Sequence, residues 1–311
     1  LCDVSPWQVR AAASAAEDDA GLVLAKKAVV AVQTNLRSGS ARGTFRQWGP
    51  NKQLIQSVRF TGVFDNAKER LELIYKPVVA PGITPDECSK RILICDGPDV
   101  FVSEFSNRIR PVGAQSHVYN NRPASVRNHT RGFPSGIRRM AGSLFDPEVV
   151  EKHEHTTEEL PGGHFRCRFN LHADYYLVVE FAPECGHHAV LGKSFIRDQL
   201  SGTFIATWEK KAGQWYAKSR SYEHHIDGKL VKSYEVKFEQ FEPNVPVSPK
   251  LFTLTALELP GGARIFDRRP PAGGARTFKA KVYKLTDGKG VLAPKRAKRL
   301  IEQVESLPRM Y

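Results

Sequence analysis

From Thr203 to Leu259 the chain alternates apolar and polar residues over a long run that is broken twice by turn chemistry, at Lys211-Ala212-Gly213 and at Asp227-Gly228. A period of two is the mark of a strand with one wet face, and a break of the Asp-Gly kind joins antiparallel neighbours. The stretch predicts three long antiparallel strands in a row. In the last of them Leu230, Tyr234, Val236 and Phe238 fall on one face, while Glu235, Lys237 and Glu239 fall on the other. Strands of this length require a large sheet, one face of which meets a core or a ligand.

The same pattern recurs upstream. Strands are predicted over 41–48, 57–64, 70–76, 91–95 and 100–106, and again over 164–171, 174–182 and 189–192. Their separators are turn sequences: Gly49-Pro50-Asn51, Asp65-Asn66, a loop over 77–89, and Asp96-Gly97-Pro98. Helix is confined to three places. An amphipathic helix is predicted over 17–36, where Leu22, Leu24, Ala25, Ala28, Val29, Val32 and Leu36 recur at helical spacing and Glu17, Asp18 and Asp19 suit its positive end. A short helix opens at Asp146-Pro147 and runs to His153, and a last one is predicted over 295–306. Residues 111–142, rich in Arg, Asn, Gly, Pro and Ser without periodicity, are predicted to be a long loop rather than a buried element. No fixed-period repeat is present, which argues against a propeller or solenoid.

The net charge of +13 suggests a phosphate polymer until it is located. Seven arginines and no acid lie between Ser106 and Leu144, and thirteen Lys and Arg against four acids lie from Arg264 to Tyr311. The remainder is slightly acidic. The aromatic residues are not interleaved with the basic tail as stacking platforms would be, so nucleic acid is not the expected partner. No run approaches the roughly 18 to 20 apolar residues that a spanning helix needs. The chain opens at Leu1-Cys2 without an initiator Met, as a fragment or a processed chain does, and Cys2 is a candidate for lipidation. Five cysteines without a CxxC point to neither a disulfide framework nor a zinc site; in an oxidising compartment Cys88 with Cys95 and Cys167 with Cys185 are the pairs to test.

Motifs for catalysis are missing. Gly192-Lys193-Ser194 matches the end of a phosphate-binding loop, but the preceding glycine, Gly186, is one residue too far and the flanks alternate like strands. The adjacent histidines His187-His188 and His224-His225 point to opposite faces of a strand and so cannot chelate as pairs. Cys185, His187, His164 and His172 form the least implausible metal set, and solvated turn histidines are the expectation. Asn128-His129-Thr130 fits a glycosylation acceptor, a pattern common by chance. No nucleophile elbow, zincin helix or cysteine-protease signature occurs, and neither enzyme activity nor a cofactor or metal is expected.

The aromatic supply is more informative. Phe60, Phe64, Leu71, Leu73, Tyr75, Phe101, Phe105, Leu177, Val179, Phe181, Phe204, Trp208, Tyr234, Val236 and Phe238 form period-two rows on successive strands, which predicts one continuous apolar sheet face. That face is either a core covered by the helices or, where the sheet is curved and partly plugged, a cleft for an acyl chain.

The order of elements, an amphipathic helix and then a strand meander with helical insertions and a late hairpin, carries a resemblance in its details. Ala41-Arg42-Gly43-Thr44-Phe45, the strand 91–97 ending in Asp-Gly, the strand 231–241, and Val247-Ser248-Pro249-Lys250-Leu251-Phe252-Thr253-Leu254 match short segments of the LolA/LolB-like lipoprotein-carrier superfamily. In style it resembles the exported LolA-like proteins of planctomycete-type bacteria, with Gly262-Ala263-Arg264-Ile265-Phe266-Asp267-Arg268-Arg269 following in the same manner. The resemblance spans about 20–269. It implies a mainly β (α+β) fold, a large curved antiparallel sheet or unclosed β-barrel with an N-terminal helix and small plugging helices. Organisation follows: a segment 1–40 with the helix, a half-barrel 41–269 carrying the basic loop 106–144, and a basic tail 270–311.

The function so implied is that of a non-enzymatic exported binding protein without cofactor, a periplasmic or otherwise exported monomer whose apolar concave face shields lipid or lipoprotein acyl chains. Arg108, Arg110, Arg122, Arg127, Arg131, Arg138 and Arg139 are the candidates for anionic headgroups. The alternative is a cell-envelope sensor or interaction scaffold, in which the sheet only carries a loop and tail that bind a protein partner.

Overall fold

The computed structural model describes residues 20–76, 88–96, 99–106, 115–120, 136–142, 153, 155–257, 259, 264–267 and 281–284. In chain order it has α1 (Ala20–Asn35), β1 (Ser38–Trp48), β2 (Leu54–Asp65), β3 (Lys68–Lys76), β4 (Cys88–Asp96), β5 (Asp99–Ser106), β6 (Gln115–Asn120) and the short α2 (Ile137–Ala141). Then come β7 (His155–Glu159), β8 (Phe165–His172), β9 (Tyr175–Ala182), β10 (His188–Ile196), β11 (Gln199–Lys211), β12 (Gln214–Ile226) and β13 (Lys229–Pro243). Two 3-10 turns, Pro249–Phe252 and Leu254–Leu257, precede β14 (Arg264–Asp267) and β15 (Lys281–Lys284). The chain divides into two compact units: one of Leu1–Asn35, Gly49–Lys52 and Ala141–Glu235, and one of Leu36–Trp48, Gln53–Met140 and Val236–Tyr311.

The first unit holds α1 and the strands β7 to β12 with the first half of β13, in the order β13-β12-β11-β10-β9-β8-β7. Sequence neighbours pair antiparallel because each connection is tight. Arg197 and Asp198, Ala212 and Gly213, and Asp227 and Gly228 all have positive φ, the twist a two-residue hairpin prefers. The last two were legible as turns. The Arg197-Asp198 turn was not, because no Gly or Pro marks it, so β10 extends to Ile196 where the alternation alone had ended it at Gly192. α1 lays Leu22 and Ala25 on Phe165, Cys167, Phe169, Val179, Phe181 and Ala189, which forms this unit's core.

The second unit has the order β15-β14-β6-β5-β4-β3-β2-β1-β13, antiparallel except for the parallel β6–β14 pair. Neither order returns on itself, so the sheet is unclosed. Register places Val58 opposite both Phe45 and Tyr75, and Phe60 opposite Leu73, so one face carries these side chains together. The opposite face of β4 and β5 carries Ile92, Ile94 and Phe101, which pack with Ile265 under Phe252 and Leu257 of the two 3-10 turns. Both sides of β4 are therefore buried, which is why Ile92-Leu93-Ile94 is a continuous apolar run and not an alternation.

Several expectations change. Residues 111–142 are not only loop: they supply β6 and α2, and Ile137, Met140 and Ala141 are buried. Ile137 Cδ1 presses on Gly62 of β2, where there is no side chain to exclude it. Composition concealed these elements because α2 has only five residues, too few for a helical period to show. The Leu251-Phe252-Thr253-Leu254 segment, which carries part of the resemblance, joins the two 3-10 turns through Thr253. The predicted helices over 146–153 and 295–306 lie outside the described residues, apart from His153. Cys167 and Cys185 are free thiols, as is Cys95. Cys88 and Cys95 sit on one strand seven residues apart, about 23 Å along it, far beyond disulfide reach.

Phe60 is fully buried and meets Phe238 edge to face at 5.5 Å. Replacing Phe60 with Ala is expected to cost about 3–5 kcal/mol through lost burial and a cavity. A double-mutant cycle with Phe238→Ala in denaturant titrations should give a coupling of about 0.5–1.5 kcal/mol; additive losses would show that the ring contact contributes nothing of its own.

Candidate ligand-binding face

Register decides which members of the predicted apolar row share a surface. In the second unit Phe60, Phe64, Leu71, Leu73 and Tyr75 lie on one face with Val236 and Phe238 of β13, and every one of them is buried. The rings fill the space themselves: Phe64 stacks on Phe241 at 6.3 Å, and Phe241 meets Phe238 edge-on at 5.5 Å. Phe101 and Phe105 do not belong to this row. They pair with Ile94 and Lys90, whereas Leu93 of the row pairs with Val102, so both phenylalanines face the 3-10 turns instead. A period-two count gives the side of a strand but not how that side matches its neighbour, and one continuous face is corrected to two.

In the first unit the row is different in kind. Phe165, Cys167 and Phe169 of β8 pair with Phe181, Val179 and Leu177 of β9, and Val179 and Leu177 pair on with Gly192 and Ser194 of β10. Gly192 faces Phe204, which faces Tyr222, whose ring lies 5.3 Å from Tyr234. α1 covers the Phe165 end of this face. Leu171, Leu177 and Phe204 are only partly buried against that core. Beyond them Ile196, paired with Tyr175, is 51% exposed, and Ile226 at the end of β12 is 53% exposed. The face thus runs from a helix-covered core to an uncovered apolar shelf bordered by tyrosines.

Gly192-Lys193-Ser194 is part of this floor, in mid-strand, and not a phosphate loop. The Phe204 ring occupies the place where a side chain on Gly192 would stand, so packing and not an anion requires the glycine. Trp208, also in the predicted row, serves the core: its indole N–H donates to the Ala189 carbonyl at 2.9 Å and its ring stacks on His188 at 4.1 Å. Trp215 meets His188 edge-on at 6.1 Å. His188, expected to be a solvated turn residue, is 2% exposed. Burial, with smaller contributions from His187 and Arg220, pushes its pKa down to about 4.

The remaining candidates are dispersed. His164 contacts Glu180 at 3.5 Å and Glu184 at 3.2 Å rather than joining His187 or His172. Among the described residues no three His, Cys, Asp or Glu side chains converge as metal ligands. Burial, followed by the neighbouring Glu184, pushes the Cys185 thiol up. Of the seven headgroup arginines, Arg138 and Arg139 lie on α2, where the Arg138 guanidinium donates to the Asn66 carbonyl at 3.3 Å. Arg108, Arg110, Arg122, Arg127 and Arg131 lie outside the described residues.

Sequence reasoning passed over Glu69. It stands on β3 in the same row as Leu71, Leu73 and Tyr75, a carboxylate among apolar side chains, which was the available signal. Its Oε1 accepts the Ile137 backbone N–H and so fastens the first residue of α2. Burial raises its pKa to about 7, against the opposing pull of that N–H. Across the strand, Cys95 is pushed up to about 12 by burial and then by Glu69 and Asp96.

The shifts of Glu69 and His188 have opposite signs. Glu69 titrates near 7 folded and near 4.5 otherwise, so the folded state holds more proton between those values and its contribution falls as pH rises from 4.5 to 7. The loss is at most on the order of 3 kcal/mol. Glu69→Gln keeps the acceptor for Ile137 and should flatten that slope in urea melts at pH 5 and pH 8; an unchanged slope would refute the assignment. His188 titrates near 4 folded and near 6.5 otherwise, so its contribution is complete above 6.5 and is lost as pH falls toward 4. His188→Phe, which keeps a ring against Trp208, should remove a loss on the order of 3 kcal/mol over that window, followed by tryptophan fluorescence.

No protein-family profile matches the chain, and no curated protein matches it in sequence. Solved structures do. A DUF1329 family protein from Desulfovibrio piger is similar at 14% identity with a TM-score of 0.45, covering 76% of this chain and 98% of its own. A LolA superfamily protein from Nitrosomonas europaea is similar at 8% identity and a TM-score of 0.41, covering 75% and 99%. The lipoprotein LppX of Mycobacterium tuberculosis is similar at 11% identity and a TM-score of 0.28, covering 75% and 100%.

Proposed function

We propose that this protein is a non-enzymatic binding protein whose first unit shields acyl chains of a lipid or lipoprotein. The observation that carries this reading is the apolar shelf beyond α1, where Leu177 and Phe204 are half-buried and Ile196 and Ile226 are about half exposed on a single sheet face. Isolated exposed isoleucines are ordinary on a surface; isoleucines that continue a core face past its cover are a site for an apolar ligand. The reading invokes neither catalysis nor a cofactor. The reading includes export, to the periplasm or otherwise, and a monomeric carrier. No helix among the described residues is long and apolar enough to cross a membrane.

A second reading, an envelope sensor or interaction scaffold, is favoured by the second unit, whose apolar face is filled by its own rings. Lipid extraction from the purified protein followed by mass spectrometry separates the two. Acyl lipid is expected to copurify, and a fluorescent fatty acid to bind the stripped protein. Ile196→Asp and Ile226→Asp change exposed positions, so folding should survive while binding weakens at least about tenfold, the cost of setting a charge against an acyl chain. Stripped protein that binds no acyl probe would leave the scaffold reading.

A further inference from the structure

We infer that the hydroxyl cluster of Tyr222, Ser194 and Ser201 on this face receives the carbonyl of an ester- or amide-linked acyl chain, so that the ligand is a neutral acyl derivative and not a free fatty acid. The inference rests on the acyl-binding reading above. Its basis is a convergence of hydroxyl oxygens beside the apolar side chains of Leu177, Phe204 and Ile196. Ser194 and Ser201 share a hydrogen bond, Oγ to Oγ at 2.8 Å. A methyl placed on Gly202 would lie 2.8 Å from the Tyr222 hydroxyl and 2.9 Å from Ser194 Oγ. Both groups therefore lean over Gly202, a position in the floor that has no side chain. Phe204 and Tyr234 flank Tyr222, by strand pairing and by ring contact respectively.

The chemistry of the cluster selects its ligand. Burial and the nearby Tyr175 push the Tyr222 phenol up, so it is a neutral donor at ordinary pH. A hydroxyl donates to an ester or amide carbonyl without any charge having to be taken from water, whereas a carboxylate on the same spot would be desolvated. The titratable and charged groups on the face of Tyr222 come from each neighbouring strand. Tyr175 acts on it, His172 pairs with Tyr175, His224 pairs with Gly202, Lys232 stands two residues from Tyr234 on β13, and Arg220 pairs with Ala206 one step further along the face. Arg220 is 9% exposed and sits close enough to His188 to act on it, on the covered side of Phe204. Lys193 pairs with Val178 and Thr203 and so belongs to the other face.

The test is displacement of a carbonyl-free pyrenyl alkane from the full chain by hexadecane, methyl palmitate and palmitate, in the parent protein and in Tyr222→Phe and Ser194→Ala. Each variant removes one oxygen and keeps the packing, and circular dichroism checks that it folds. Methyl palmitate should compete about fivefold better than hexadecane, the value of one neutral hydrogen bond, and better than palmitate. Each variant should lose most of that advantage with hexadecane unchanged. The inference is overturned if palmitate competes best, if the ester holds no advantage over hexadecane, or if the variants weaken hexadecane and ester alike. Hexadecane binding without an ester advantage overturns this inference alone; failure of the pyrenyl alkane to bind overturns the acyl-binding reading with it.

Discussion

A strand offers two faces that alternate residue by residue, and what covers each face decides what its residues do. In the second unit both faces of β4 are buried, one carrying Arg91 and Leu93 in the row of Leu71 and Leu73 and the other lying under the 3-10 turns that carry Phe252 and Leu257. In the first unit α1 covers one end of one face and stops. The same kind of side chain is therefore core at Phe181 and surface at Ile196. The functional reading follows from that difference in cover rather than from any residue type.

Fold class was legible because alternation survives wherever one side of a strand is wet, and the Ala212-Gly213 and Asp227-Gly228 turns carry their own chemistry. Three things were not. The Arg197-Asp198 hairpin has positive φ without the residue that advertises it. β6 and α2 are too short for a period to rise above an Arg- and Gly-rich composition. The pairing of Ile94 with Phe101 is a relation between strands, and no single strand's pattern contains it. The candidate residues divide accordingly: Leu177, Val179, Phe204 and Tyr234 fall on the first unit's apolar face, while Ile196, Tyr222 and Tyr175 were missed because strand ends and tyrosines look like ordinary solvent-edge positions.

Three polar groups placed among apolar ones show how such a group is accommodated: it loses its charge or is held by a partner. Neutral His188 lies between two indoles, Glu69 binds a backbone N–H and titrates near neutrality, and Arg91, 1% exposed, donates to the Tyr75 hydroxyl at 3.2 Å with its guanidinium over that ring. Charge near the cores is thus kept to sites with a defined contact. At the uncovered end of the first unit's face the polar groups include the uncharged hydroxyls of Ser194, Ser201 and Tyr222.

Relief on that face comes from glycine. A pleated sheet lined by large side chains is close to flat, and depth requires that some positions have none. Gly192 lets the Phe204 ring lie down across β10, and Gly202, on the strand beside it, leaves room under the Tyr222 hydroxyl. Both glycines belong to strands whose twist and pairing would favour a β-branched residue, at a cost of about 0.5–1 kcal/mol each relative to alanine. Two such positions adjoining the same phenylalanine convert a surface that would merely be greasy into one with a floor, an apolar wall and a polar spot, which are the requirements for holding a chain by its length and by its linkage.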